Sequence, residues 1–270
     1  IIQSGNDATV ALAEYIGGTE DGFVDLMNSY AASMGLSNTL FQNSTGLPDG
    51  NHFSSAKDLA TMTSLLINNY PETYSLYKEK YYTFNNIKQP NRNRLLWKDN
   101  SSDGVKTGHT ESAGYCLISS AKRNDMRLIA VVAGAKSDKE RFNDTQRLLE
   151  YGFRFYSTQE VIKKDNALKE VTVWGGKKDL VSLGSENNIK LTLPRTTFKN
   201  ITISYDFQNN LRAPIKEGQN LGTLIIKDGE KVLHTENLVS LNDVEAKGFF
   251  GRLWASFVLW FRGLFGLGNA

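Results

Sequence analysis

Gly104-Val105-Lys106-Thr107-Gly108-His109-Thr110 opens the stretch that decides the fold. It is followed by Gly114-Tyr115-Cys116-Leu117-Ile118-Ser119-Ser120-Ala121-Lys122 and by Arg127-Leu128-Ile129-Ala130-Val131-Val132. These runs predict three strands, at 103–109, 114–122 and 127–134. The turn Lys122-Arg123-Asn124-Asp125 makes the last two an antiparallel pair. A helix is expected next at 138–156, with Phe142, Leu148, Leu149, Phe153 and Tyr156 covering the sheet.

Upstream, apolar spacing predicts helices at 6–17 and 19–34. Val10, Ala13 and Ile16 mark the first; Phe23, Leu26, Met27 and Tyr30 mark the second. Residues 36–53, rich in Asn, Ser, Gly and Pro, read as loop. Ser55 and Asp58 form a Ser-x-x-Asp helix start, with Leu59, Met62, Leu65 and Leu66 as the apolar face. Pro71 suits the first turn of a short helix over 71–78. Downstream the pattern changes near residue 160. Short alternating strands are expected at 169–174, 188–193, 200–207, 221–226 and 231–239. The expected organisation is an α/β domain over 1–159, an antiparallel sheet with flanking helices, then a small all-β sandwich over 160–245 and an amphipathic helix over 246–270.

Composition sets limits on function. The 270 residues are 40% hydrophobic and 22% charged, which predicts a globular core, and the net charge of +2 gives no basis for nucleic-acid binding. Lys163-Lys164 and Lys177-Lys178 read as solvated faces. A single cysteine, Cys116, allows no internal disulfide and reads as a buried thiol in a strand.

The tail is different. Placed on a helix, Phe249, Phe250, Leu253, Trp254, Phe257, Val258, Trp260, Phe261, Leu264 and Phe265 fall within about half the circumference. Arg252, Ser256 and Arg262 fall opposite, and Leu259 breaks the pattern. A spanning helix would bury both arginines in hydrocarbon, at about 2.5–3.5 kcal/mol each near mid-depth. A helix lying in the membrane interface avoids that cost. The competing reading packs the tail on the protein's own core.

Two short strings carry chemistry: Ser4-Gly5-Asn6 at a helix start and Lys106-Thr107-Gly108 on a strand, about a hundred residues apart. Alone, the first is a helix cap and the second a turn. In this order they match two of three signatures of penicillin-recognising serine enzymes. The sequence resembles the low-molecular-mass penicillin-binding proteins that act as D-alanyl-D-alanine carboxypeptidases. The stretches that carry the likeness are Ser4 to Ala8, His52 to Ala56, Asn91 to Trp97, Gly104 to Thr110, Arg127 to Val132 and Gly248 to Trp254.

Cleaving an amide with serine requires a nucleophile, a base, an oxyanion hole and an anchor for the substrate's carboxylate. Lys106 supplies positive charge and can hold Ser4 for proton transfer. The Asn6 amide can hold a substrate carbonyl or the base. The Lys106–His109 strand offers an edge to an extended peptide, and Gly108 leaves room for its backbone. The resemblance implies that the His109 N–H is half of an oxyanion hole. It also implies that Thr107 and Arg141 hold the terminal carboxylate, although Arg141 on its own reads as a surface charge on a helix. No imidazole is given a catalytic role, and no cofactor or metal is expected. The implied partners are peptidoglycan stem peptides, β-lactam antibiotics and a membrane surface. The implied place is the periplasmic side of the bacterial inner membrane.

The third signature, Ser-x-x-Lys, lies upstream of Ser-x-Asn in the family, which here means before residue 1. Ser54 to Lys57, Ser75 to Lys78 and Ser119 to Lys122 fit the bare pattern but follow Ser4. The expectation is therefore a chain without its nucleophile, inactive alone and with an incomplete core. A serine β-lactamase and a non-catalytic stem-binding protein remain as alternatives.

Overall fold

The computed structural model describes residues 1–208 and 210–264, with side chains to 261. It divides into two compact units, Ile1–Phe155 and Tyr156–Ala270.

The first unit begins with α1 (Asn6–Gly17) and α2 (Glu20–Ser33). The Thr19 hydroxyl caps α2 by accepting from the Gly22 N–H. The buried residues of α2 are Val24 and Ala31, seven apart, while Leu26 and Tyr30 of the expected apolar stripe are exposed. The loop that follows leads to α3 (Ala56–Asn69), capped by Ser55 as its Ser-x-x-Asp pattern predicts. α4 (Pro71–Tyr74) passes into a 3-10 turn at Ser75–Lys78.

A hairpin not foreseen from the sequence comes next, β1 (Tyr81–Phe84) and β2 (Ile87–Pro90). Its turn is Asn85-Asn86, both at positive φ (47° and 59°), the geometry of a tight two-residue hairpin turn. A short α5 (Leu95–Lys98) precedes β3 (Ser102–Thr110), β4 (Gly114–Arg123) and β5 (Met126–Ala135). These form an antiparallel sheet in that order, so β3 lies at an edge. Then α6 (Asp138–Phe155) covers the sheet with Phe142, Thr145, Leu149, Gly152 and Phe153, all buried. Leu148 is exposed instead, because it lies about 240° around the helix from Phe142. Tyr156 belongs to the next strand.

The second unit opens with β6 (Tyr156–Ile162), β7 (Lys169–Trp174), β8 (Leu180–Gly184) and β9 (Ile189–Pro194). It continues with β10 (Ile201–Phe207), β11 (Leu211–Arg212), β12 (Asn220–Asp228) and β13 (Lys231–Ser240). The sheets are β10-β12-β13-β8-β7-β11 and β6-β9. One buried cluster draws Ile162 and Ile189 from the small sheet and Val173, Val181, Leu183, Leu224, Ile226 and Leu238 from the large one. Two sheets closing on a shared core is the expected sandwich arrangement.

Helix α7 (Phe249–Leu264) completes this unit. Its Arg252 stem and Ala255 lie against Gly175. Gly251, Ala255, Val258 and Leu259 are half-buried, spaced as one helical face. Leu259, which breaks the aromatic pattern, therefore belongs to the protein-facing side. Phe249, Phe250, Leu253, Trp254, Phe257, Trp260 and Phe261 are all exposed. The side chains of Arg262 and Leu264, and Phe265 onward, lie outside the described residues. Among those described, no helix is long and apolar enough to cross a membrane.

Candidate active site

Strand β3 presents Lys106, Thr107, Gly108, His109 and Thr110 along one wall of a cleft of about 370 Å3. Ser4 and Asn6 from the start of α1, Thr45-Gly46-Leu47, Arg92 and Arg141 complete the lining. All seven residues expected from sequence to do chemistry thus meet in one cleft, although 102 positions separate Ser4 from Lys106.

The Lys106 ammonium donates to Ser4 Oγ and, at 2.8 Å, to the Thr107 carbonyl. Ser4 is not the helix cap that an isolated Ser-x-Asn predicts. Gly5 occupies that position, and Ser4 sits at φ 56°, in the left-handed region that serine adopts only when its surroundings hold it there. The backbone is bent so that the hydroxyl faces Lys106.

Three cations line this cleft, and none of its lining residues is acidic. Burial pushes the Lys106 ammonium down to about 8, with further lowering from the Arg92 and Arg141 charges. An amine titrating near neutrality can both hold and release a proton. The cationic lining favours an anionic ligand.

Arg141 is buried, so it is not a surface helix charge. One guanidinium nitrogen donates to the Gly108 carbonyl at 3.0 Å and the Cys116 carbonyl at 3.4 Å, and the other pairs with Asp138. Its Nε is buried without a partner. Asp138 also pairs with Arg94 at 3.2 Å. The fork is therefore fixed across β3 and β4, at the end of the cleft where Thr107 is also buried.

Behind the start of β3 lies a polar network. The Tyr74 hydroxyl donates to Asp103 Oδ1 at 2.7 Å, and Arg127 makes a two-point pair with the same carboxylate at 2.8 Å for each contact. The Gly104 carbonyl accepts from Asn93 Nδ2 at 2.9 Å and Ser119 Oγ at 3.0 Å. The strand is pinned immediately before Lys106.

Sequence reasoning missed Arg92 and the Thr45-Gly46-Leu47 wall. That wall is built by one side chain: Asn43 Oδ1 accepts from the backbone N–H of Thr45, Gly46 and Leu47. An Asn two to four residues before a glycine is a usable signal for such a loop. None of the internal serines Ser54, Ser75 and Ser119 lines the cleft. Ser119 is fully buried under β3, and Ser75 bonds to the Glu72 carbonyl.

A family profile described as D-alanyl-D-alanine carboxypeptidase matches residues 1–137, half of the chain. The chain belongs to this family. A second profile, penicillin-binding protein 5, C-terminal domain, matches residues 156–246. The D-alanyl-D-alanine carboxypeptidase DacC of Escherichia coli is 47% identical over 98% of this chain, which spans 67% of that relative. The crystal structure of penicillin-binding protein 5 from Haemophilus influenzae superposes with a TM-score of 0.76 at 42% identity, covering 90% of this chain and 71% of its own. Penicillin-binding protein D2 from Listeria monocytogenes, in a cefotaxime-bound form, gives a TM-score of 0.53 at 35% identity over 57% of this chain and 63% of its own. The family's fold, an α/β domain and a β-sheet domain, is the one described above.

Proposed function

We propose that this chain carries the substrate cleft of a D-alanyl-D-alanine carboxypeptidase that trims peptidoglycan stem peptides and is a target of β-lactams. The observation that carries this is the meeting of Ser4, Lys106 and Arg141 in one cation-lined cleft beside an open strand edge. A stem peptide ends in a carboxylate, which suits the fixed Arg141 fork and Thr107. Its extended backbone pairs along β3, and the His109 N–H faces the scissile carbonyl as half of an oxyanion hole. Asn6 holds a substrate amide. Lys106, close to its titration point, relays the proton through Ser4. The penicillin-binding-protein module over 156–246 supports this reading over a β-lactamase.

The resemblance places the acylating serine in a Ser-x-x-Lys pair, and no such pair lines this cleft. The cleft as lined by these residues is proposed to bind substrate without acylating. Two measurements test this. The chain should bind an acyl-D-Ala-D-Ala peptide in a manner lost in Lys106→Ala, and should give no covalent band with fluorescent penicillin. A protein that joins this cleft to a Ser-x-x-Lys helix should release D-alanine from a pentapeptide. No release from a folded preparation would refute the assignment.

The exposed aromatic face of α7 supports an in-plane helix at the periplasmic face of the inner membrane, keeping the cleft near peptidoglycan.

A further inference from the structure

The β1–β2 hairpin has two faces that differ in what already occupies them. Tyr81, Thr83, Lys88 and Pro90 share one face. There the Tyr81 ring meets Trp97 edge-on at 5.8 Å, and the Lys88 ammonium sits 4.1 Å from the Tyr81 ring centre. That face has a ring contact to the rest of its domain, through Trp97, although Tyr81 is still 47% exposed. The other face carries Tyr82, Phe84, Ile87 and Gln89. The Tyr82 and Phe84 rings lie within 7° of parallel, with centres 6.4 Å apart. Tyr82, Phe84 and Ile87 are about half exposed or more (49%, 58% and 64%). Nearly parallel open rings beside an amide form a recognisable chemical surface. An aromatic face is electron-rich and attracts the C–H groups on the flat side of a pyranose ring. Gln89 offers a donor and an acceptor to acetamido and hydroxyl groups.

The hairpin is also continuous with the cleft. The Gln3 side chain, next to Ser4, donates to the Pro90 carbonyl at 2.6 Å. The Asn91 N–H closes the hairpin base on the Lys80 carbonyl at 2.8 Å, and Arg92 beyond it lines the cleft. Strands of this length reach about 13 Å from that base. A stem peptide is covalently carried on a polysaccharide of N-acetylated amino sugars, so a peptide seated in the cleft brings such a strand within its own length.

We infer that the Tyr82–Phe84–Ile87–Gln89 face docks the glycan strand of the substrate. The inference rests on the cleft being a stem-peptide site, which makes the enzyme a reader of polymer as well as peptide. Between Tyr81 and Pro90 the one basic side chain, Lys88, belongs to the opposite face, so the four residues of the docking face carry no charge for anionic lipid.

The test uses the 270-residue chain and a probe that avoids the cleft chemistry, a β-1,4-linked N-acetylglucosamine tetramer, followed by NMR titration. The unmodified chain should bind. Tyr82→Ser combined with Phe84→Ser should weaken binding about tenfold or more, with circular dichroism unchanged. Gln89→Ala, a milder change should the double variant unfold, should weaken it by a smaller factor, and Thr83→Ala on the opposite face should leave it intact. This outcome supports the inference whether or not the cleft takes a peptide, so failure of the two readings is distinguishable. No binding by the unmodified chain, or equal binding by the folded double variant, overturns it. Vesicle binding after removal of residues 248 onward, abolished by the same double variant, would assign the face to lipid and overturn it as well.

Discussion

The Lys106 ammonium donates to the Ser4 hydroxyl across the mouth of the cleft, joining the start of α1 to the edge strand β3. The contact depends on two local features. Ser4 is held at positive φ, and Lys106 is held below its ordinary titration range by burial and by Arg92 and Arg141. A protonated Lys106 donates to Ser4 and leaves the hydroxyl proton in place. A neutral Lys106 can accept that proton, so the direction of transfer depends on pH near 8.

The Lys106 titration should be measurable directly by NMR of the side-chain nitrogen or Cε. Its midpoint is expected near 8, and Arg92→Gln should move it upward by removing a like charge. The sign for stability follows from proton counts. Between about 8 and the model-peptide range near 10.5, the unfolded chain binds the proton that the folded chain has lost. This group therefore makes stability rise with pH through that window, and its destabilising effect is fully present below it. In Lys106→Met the rise should vanish. A midpoint at the ordinary lysine value would show that the ammonium is solvated and the cleft more open than described.

Arg141 should discriminate between carboxylate and amide. A peptide ending in free D-Ala-D-Ala should bind more tightly than its C-terminal amide, and Arg141→Lys should narrow the difference because lysine cannot reproduce the fork. The variant also loses the donors to Gly108 and Cys116, at about 1.5–3 kcal/mol of stability in urea unfolding. A variant that kept full acid-over-amide preference would place the carboxylate anchor elsewhere.

The network behind β3 predicts an order of effects. Tyr74→Phe removes one bond to Asp103 while Arg127 still satisfies the carboxylate, so about 1 kcal/mol is expected. Arg127→Met strands a partly buried carboxylate and should cost about 2–3 kcal/mol, below the range for a fully buried pair because 27% of each side chain stays in water. Gly104→Ala should be destabilising too, since a methyl there would sit 2.7 Å from the Tyr74 hydroxyl. Thermal or urea unfolding gives the ranking, and a reversed order for the first two would mean that the Tyr74 hydrogen bond, not the Arg127 ion pair, is the larger support of Asp103.

The parts of this architecture that were legible in the sequence are those with a strong period or a fixed motif. The β3–β5 runs, the Phe142, Leu149 and Phe153 positions of α6 and the capped start of α3 read correctly because local pattern and burial agree there. The β1–β2 hairpin was missed because Asn85-Asn86 replaces the more usual Asn-Gly and its strands are exposed on both faces, so no alternation marks them. Strands β6, β8 and β11 lack a clean alternation of their own. In the cleft, Lys106 and Ser4 are carried by short motifs, whereas Arg92 is brought in by tertiary packing, which leaves no spacing to read, and the Asn43-built loop leaves only its Asn-before-Gly signal.

The tail helix should bind membrane mainly through its apolar face. Lys247 lies 3.5 Å from Asp179, and the Arg252 stem rests on Gly175, so both cations are partly engaged by the β domain. The rings of Trp254 and Trp260 are 68% and 61% exposed and point away from it. Trp254→Ser with Trp260→Ser should therefore weaken co-sedimentation with vesicles by about tenfold or more for each ring lost. Arg252→Gln with Arg262→Gln removes an electrostatic contribution of about 1 kcal/mol per charge at most, seen with anionic vesicles and absent with neutral ones. Removing residues from Gly248 onward should release the protein from vesicles while leaving peptide binding in the cleft unchanged. A truncated chain that still pelleted would place the membrane contact on another surface. Protection of the helix from protease on both sides of a sealed vesicle would mean that it spans, and the in-plane reading would be wrong.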